Sequence, residues 1–178
     1  MPDDTSGRGL LIVFTGNGKG KTTAALGMAM RAAGHGMRVL VLQFIKGKWS
    51  CGELQSFSRI EEVEIRRLGN GFTWDKEDLE EDGRLARAGW DQALSEMKSD
   101  NYDMIVLDEL NVALSLGLLT TEEVVETLKR RTIRSHIVAT GRNAPDELIG
   151  IADLVTEMKE IKHPYRQRGL RAGEGIEF

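Results

Sequence analysis

The sequence predicts an α/β fold, with a mostly parallel sheet of about six strands flanked by helices. Three features carry this expectation. Short runs rich in Val, Ile and Leu recur along the chain, each bounded by turn residues, as strands buried on both faces require. Amphipathic stretches of helical length separate them, the order of parallel strands joined by crossover helices. A glycine-rich turn also stands between the first apolar run and an alanine-rich stretch, the strand–loop–helix sequence in which open α/β sheets hold anions.

The strands are read at Leu10 to Phe14, Arg38 to Phe44, Val63 to Leu68, Met104 to Leu107, His136 to Thr140 and Leu154 to Glu157. Lys21 to Ala33 reads as the first helix, stopped by Gly34 and Gly36, where left-handed backbone costs glycine little. A second helix begins near Asp75, whose carboxylate can cap it, and runs to about Ser99. Its acidic run DKEDLEED is read as a solvated helix start favoured by the dipole rather than a metal site. A third helix opens at Thr120, which has capping-box spacing to Glu123. A short fourth follows Pro145, placed where its missing N–H does no harm. The stretch from His163 to Phe178, with Arg166, Arg168 and Arg171 and little periodicity, reads as a surface loop or tail. No repeat or linker interrupts the pattern, so one domain over residues 10–178 is expected behind a flexible tail of residues 1–9.

At 178 residues, with 40% hydrophobic and 29% charged, the chain can bury a real core. A net charge of -4 argues against a general nucleic-acid binder, so any anion must be held locally. One cysteine, Cys51, excludes an internal disulfide, and His35, His136 and His163 complete no metal-ligand spacing. LLIVFTG is too short for a signal core or a membrane span. The protein is therefore expected in the cytoplasm, with neither membrane nor nucleic acid as partner.

Four motifs carry chemistry. In Gly16-Asn17-Gly18-Lys19-Gly20-Lys21-Thr22-Thr23, glycines without Cβ atoms let backbone N–H groups turn onto phosphate oxygens, and the following helix aims its positive end at the same anion. Lys21 adds an ammonium and Thr22 offers a hydroxyl to magnesium, so a nucleoside triphosphate with magnesium is expected and the domain is P-loop NTPase-like. The common pattern would put its first glycine at position 15, which is Thr15; the loop is one residue tighter, and hydrolysis of the terminal phosphate does not follow from it. Second, the run Ile105 to Leu107 ends in Asp108 and Glu109, where one carboxylate can complete a magnesium shell or cap a helix. Third, Ala139-Thr140-Gly141-Arg142 delivers an arginine that either grips a phosphate or lies on the surface. Fourth, QFIKGKW and GFTW place Trp49 and Trp74 in apparent loops, serving either a flat apolar second substrate or the core.

Taken in order, FTGNGKGKTT, GHG, QFIKG with the tryptophan and GE that follow, GFTW, LDELN and ATGR resemble the ATP:corrinoid adenosyltransferases from Leu10 to Phe178. The resemblance implies that cob(I)alamin attacks the 5′ carbon of ATP, bound reversed relative to P-loop hydrolases, and expels intact triphosphate. It implies that Asn17 to Thr23 hold the triphosphate, with Lys21 catalytic, that Thr22 and Glu109 coordinate magnesium, and that Arg142 contacts phosphate. Phe72 and Trp74 are then the aromatics that lie against the corrin and help displace its lower axial ligand, giving four-coordinate cob(II)alamin for a flavoprotein reductase. Gln43, Lys46, Trp49 and Glu53 match without an assigned role. Some relatives carry a longer amino-terminal arm over the corrinoid pocket, and the family is usually homodimeric. Two other readings stay open on the residues alone: a non-catalytic carrier or regulator binding ATP and corrinoid, and an ordinary P-loop ATPase or kinase.

Overall fold

The computed structural model describes residues 7–45, 51–69, 79–131 and 133–176. Among these, six strands form one sheet: β1 (Leu11–Thr15), β2 (Val39–Gln43), β3 (Val63–Arg67), β4 (Met104–Asp108), β5 (His136–Thr140) and β6 (Leu154–Glu157). Their order is β3-β2-β4-β5-β1-β6 and every pairing is parallel. The strands fall within one residue of the sequence reading at each end. The helices are α1 (Lys21–Ala33), α2 (Gly52–Phe57), α3 (Leu79–Ser99), α4 (Leu110–Ser115), α5 (Thr121–Lys129), α6 (Asp146–Ile151) and α7 (Pro164–Arg168).

Alternation along the strands divides the core into two layers. Ile12, Phe14, Val39, Val41, Met104, Val106 and Val138 face α1, whose Ala25, Leu26 and Ala29 press onto them; small alanines let this helix sit close to the sheet. Leu11, Leu40, Leu42, Ile105, Leu107 and Ile137 face the other way, onto Trp90 and Ala93 of α3, Leu128 of α5 and Leu148 of α6. Both faces of the central strands are covered, which is why those strands read as unbroken apolar runs. β6 is the exception: on this edge strand Leu154 is 45% and Val155 40% exposed.

Several local expectations are corrected. Thr120 stands at the N-cap of α5, yet its side chain makes no capping bond. Its expected partner Glu123 instead accepts both guanidinium nitrogens of Arg87 from α3, at 2.6 and 2.7 Å. Pro145 is the N-cap of α6 and Asp146 its first residue. Gly34 keeps right-handed backbone, and the left-handed turn after α1 falls to Gly36 at φ 72°. Asp82, placed by sequence in a solvated run, is buried. The C-terminal stretch is not all loop: α7 forms there on the surface, its His163 Nδ1 accepting from the amide of Tyr165. Asp75, the expected cap of α3, lies outside the described residues, as do residues 1–6 of the expected tail.

β6 is tied down at its start by a charged cluster. Asp153 accepts from the Leu11 amide at 2.7 Å, from Arg131 at 2.8 Å and from Arg8 at 3.2 Å. Arg131 is 7% exposed and also donates to the carbonyls of Leu128 and Gly9. Removing the anion leaves a buried cation without its charge partner. Asp153→Ala is expected to cost about 3 kcal/mol in urea unfolding; a loss below about 0.5 kcal/mol, the range of ordinary surface substitutions, would contradict this anchoring.

Candidate functional site

Because every strand is parallel, β1, β2, β4, β5 and β6 all end at one edge of the sheet, and residues 16–20 cross that edge between β1 and α1. Gly16 (φ 93°) and Gly20 (φ 106°) adopt the left-handed backbone that glycine tolerates. The loop is braced by the end of β6. Gly18 donates its amide to the Met158 carbonyl at 2.6 Å, and Met158 donates back to Thr15 O at 2.8 Å. A Cβ at Gly16 or at Gly18 would stand 2.6 Å from that same carbonyl, so β6 and the loop approach closely only because both positions are glycine.

Lys21, the first residue of α1, is 8% exposed and donates from Nζ to Gly16 O at 2.8 Å and Gly18 O at 2.7 Å. Burial holds its pKa below the ordinary lysine value; attraction from Glu109 opposes this, and repulsion from Arg142 and Lys19 adds to it. The lysine is thus preorganised at the loop by the loop's own carbonyls. Asn17, Lys19 and Thr23 are exposed along the rim and Gly18 is buried beneath.

Thr22 turns inward and donates Oγ1 to Asp108 Oδ1 at 2.8 Å. Asp108, wholly buried at the end of β4, also accepts from Thr140 Oγ1 at 2.8 Å and from Gln43 Nε2 at 3.1 Å. The two acids of the sequence motif therefore diverge. Asp108 anchors the interior, whereas half-buried Glu109 lies near enough to Lys21 to act on its charge. Glu109 is the N-cap of α4 with φ 64°, a left-handed conformation uncommon outside glycine, and its amide donates to Thr140 Oγ1 at 3.0 Å. Arg142 is exposed on the turn after β5, where its charge also reaches Lys21.

Four tethering residues were not read as such from sequence. Thr15, where the common loop pattern has glycine, accepts the Ala144 amide on its Oγ1 at 3.1 Å, joining β1 to the turn that carries Arg142. Asn111, buried in α4, donates to Phe14 O at 3.2 Å and Gly141 O at 3.1 Å, pinning the ends of β1 and β5 together. Gln43 and Thr140 hold Asp108. The signal available beforehand was a polar residue at a strand end for Thr15, Gln43 and Thr140, and one inside a short helix for Asn111, neither of which alone tells a site from a turn. Glu53 sits half-buried in the first turn of α2; Phe72, Trp74, Lys46 and Trp49 lie outside the described residues.

Comparison with known proteins follows the same lines. Residues 7–178 match the family described as ATP:corrinoid adenosyltransferase BtuR/CobO/CobP. A corrinoid adenosyltransferase of Pseudomonas aeruginosa is 45% identical over 172 residues, covering 96% of this chain and 84% of that protein. One from Escherichia coli K12 is 42% identical over 171 residues, covering 96% and 86%. Among solved structures, a KaiC-like protein of Pyrococcus horikoshii superposes with a TM-score of 0.51 at 18% identity, covering 87% of this chain and 75% of that one, which shows the P-loop fold alone.

The buried lysine makes a prediction about pH. An anion bound against Lys21 raises its pKa, so affinity is full below the free protein's pKa and falls as pH climbs from there toward the complex's pKa. As burial has lowered the free value, affinity for inorganic triphosphate should begin to fall at a pH below that at which an ordinary lysine titrates. Calorimetric titrations across alkaline pH check this: the limb should vanish in Lys21→Met, and an affinity flat up to the ordinary lysine range would contradict it.

Proposed function

The chain belongs to the ATP:corrinoid adenosyltransferase family and adenosylates corrinoids; we propose that its acceptor is cob(I)alamin and that the residues around the glycine loop serve that transfer. In the proposed reaction the cobalt electron pair forms a bond to C5′ of ATP while the C5′–O bond breaks, its electrons leaving with intact triphosphate. The observation that best supports this is the arrangement at Lys21 and Thr22. Lys21 is a buried ammonium at the glycine loop, and beside it the Thr22 hydroxyl donates to Asp108, leaving its lone pairs for a ligand. Such a cradle stabilises a departing polyanion through donors already in place.

In this proposal residues Gly16, Asn17, Gly18, Lys19, Gly20, Lys21, Thr22 and Thr23 hold the triphosphate, with Arg142 reaching it from the rim. Magnesium fits the donor set here, a hydroxyl and carboxylates, all hard oxygen, with Thr22 and Glu109 as its protein ligands. Bound there, it would offset charge on the leaving group. Among the described residues no cluster of three or more His, Cys, Asp and Glu gathers elsewhere as an alternative metal centre.

Phe72 and Trp74 complete the proposal as the apolar surface against the corrin that favours loss of the lower ligand before reduction by a flavoprotein. A homodimer in the cytoplasm is proposed from the family resemblance; the half-exposed Leu154 and Val155 on β6 offer it an apolar edge to cover. No described helix is long and apolar enough to cross a membrane.

Incubation with ATP, magnesium and chemically reduced cobalamin is expected to yield adenosylcobalamin and inorganic triphosphate in equal amounts. ADP with orthophosphate would identify an ATPase, and tight capture of both substrates without product a carrier. Lys21→Ala should slow the transfer on the order of a hundredfold or more, as loss of a strong electrostatic donor does; wild-type turnover in that variant would remove Lys21 from the site.

Trp74→Ala separates the corrin role from the phosphate role. It should lose most activity when the corrinoid is supplied as cob(II)alamin with a flavin reductant, and keep most of it with pre-reduced cob(I)alamin. Equal retention under both conditions would refute the assignment.

A further inference from the structure

Gln43 closes β2 and is wholly buried. Its side chain lies on the α1 face beside that of Asp108, its registered neighbour on β4, to whose Oδ2 it donates from Nε2 at 3.1 Å. The amide cannot be turned over without setting its oxygen against a carboxylate oxygen, acceptor to acceptor. Oriented this way, Gln43 Oε1 is left buried with no hydrogen-bond partner. An orphaned buried acceptor costs on the order of 1–3 kcal/mol, and an apolar residue of similar length would avoid that cost. What Gln43 supplies in return is the second oxygen of Asp108. With Nε2 on Oδ2, the carboxylate is held so that Oδ1 meets Thr22 Oγ1 and Thr140 Oγ1, each at 2.8 Å.

That orientation bears on chemistry because the Thr22 hydroxyl has one proton. When the proton is donated to Asp108, both oxygen lone pairs point away from the carboxylate and are available to a cation. Were Asp108 free to rotate, the hydroxyl could turn its proton outward and present a donor where an acceptor is needed. We propose that Gln43 is a positioning residue for the metal–triphosphate site: by fixing Asp108 it fixes the rotor of Thr22, the group that meets the metal. The proposal rests on the reading of Thr22 as a magnesium ligand.

Gln43 acts through two other side chains, so its contribution to the site is read in metal affinity at fixed nucleotide. Groups that orient a metal's ligands commonly change metal affinity 10–100-fold when removed. Gln43→Met keeps the length and removes both the donor and the orphaned oxygen. The test titrates manganese, a paramagnetic stand-in for magnesium, into protein saturated with ATP and follows the free-ion resonance signal. Compared with wild type, Gln43→Met should need about tenfold more manganese for half-saturation. Val41→Ala, one repeat back on the same strand face, should lower the melting temperature and leave the manganese midpoint in place. Thr140→Val, which removes another tether of Asp108, should move the midpoint in the same direction as Gln43→Met and serves if that variant fails to fold. A midpoint within twofold of wild type in the folded tether variants overturns the proposal. Absence of manganese uptake by wild type with ATP overturns the magnesium reading itself, and so fails differently.

Discussion

A carboxylate at the end of a fully buried strand has no water to solvate it and must be met by donors from the protein. Asp108 is met by Thr22 from the start of α1, Thr140 from the end of β5 and Gln43 from the end of β2. Each donor belongs to a different element, so one side chain sets the relative positions of three strand ends and of the helix that opens the glycine loop. The loop's lysine follows directly before Thr22 in the chain, which makes its placement a consequence of the same contact. Interior donors of this kind both satisfy the anion and specify the geometry around it, a dual use that a purely apolar strand end lacks.

The loop is constrained from its other side by β6. This edge strand is poorly covered on both faces, yet it delivers the Met158 carbonyl to Gly18 and receives the Thr15 carbonyl at its own amide. A weakly buried strand can do this because its start is fastened by Asp153 to Leu11 and Arg131. The glycines at positions 16 and 18 thus have two reasons to lack a side chain. One, on the proposed reading, is access of an anion to the loop; the other is the close passage of β6, which a Cβ would obstruct. Mutational loss at these glycines would therefore report packing as well as ligand binding.

The fold was legible in the sequence because a two-sided parallel sheet writes itself as separate apolar runs, and the four inner strands are local signals of that kind, while the edge strands β3 and β6 mix polar and apolar residues. The first helix was read to the residue, since its alanine-rich face is long enough to show a period. Helices α2 and α4, six residues each, and α7, five residues, are too short to do so. The capping box at Thr120 failed for a tertiary reason: Glu123 has a bidentate partner in Arg87, 36 residues away, which local spacing does not reveal. The site divides in the same manner. The glycine loop is contiguous and was readable, but the tethers are assembled from distant segments: Gln43, Thr140 and Thr15 announce themselves only as polar residues at strand ends, and Asn111 only as a polar residue within a short helix.

Thr15 shows what the tighter loop changes. In the common pattern a glycine there lets the backbone turn one residue earlier; here the position completes β1 as an extended residue and its hydroxyl takes the Ala144 amide. Asn111 adds a second link between the same two segments through Phe14 and Gly141. The turn bearing Arg142 is in this way fixed to the strand that leads into the loop, so the exposed arginine and the buried lysine are held on one frame. In the proposed reaction, transfer from C5′ with triphosphate as leaving group calls for such a frame more than for a base, because no proton is removed from the nucleophile. The polar side chains that the structure buries along this edge serve mainly to hold backbone, carboxylate and hydroxyl in fixed relation, which is the preorganisation that stabilising a departing polyanion requires.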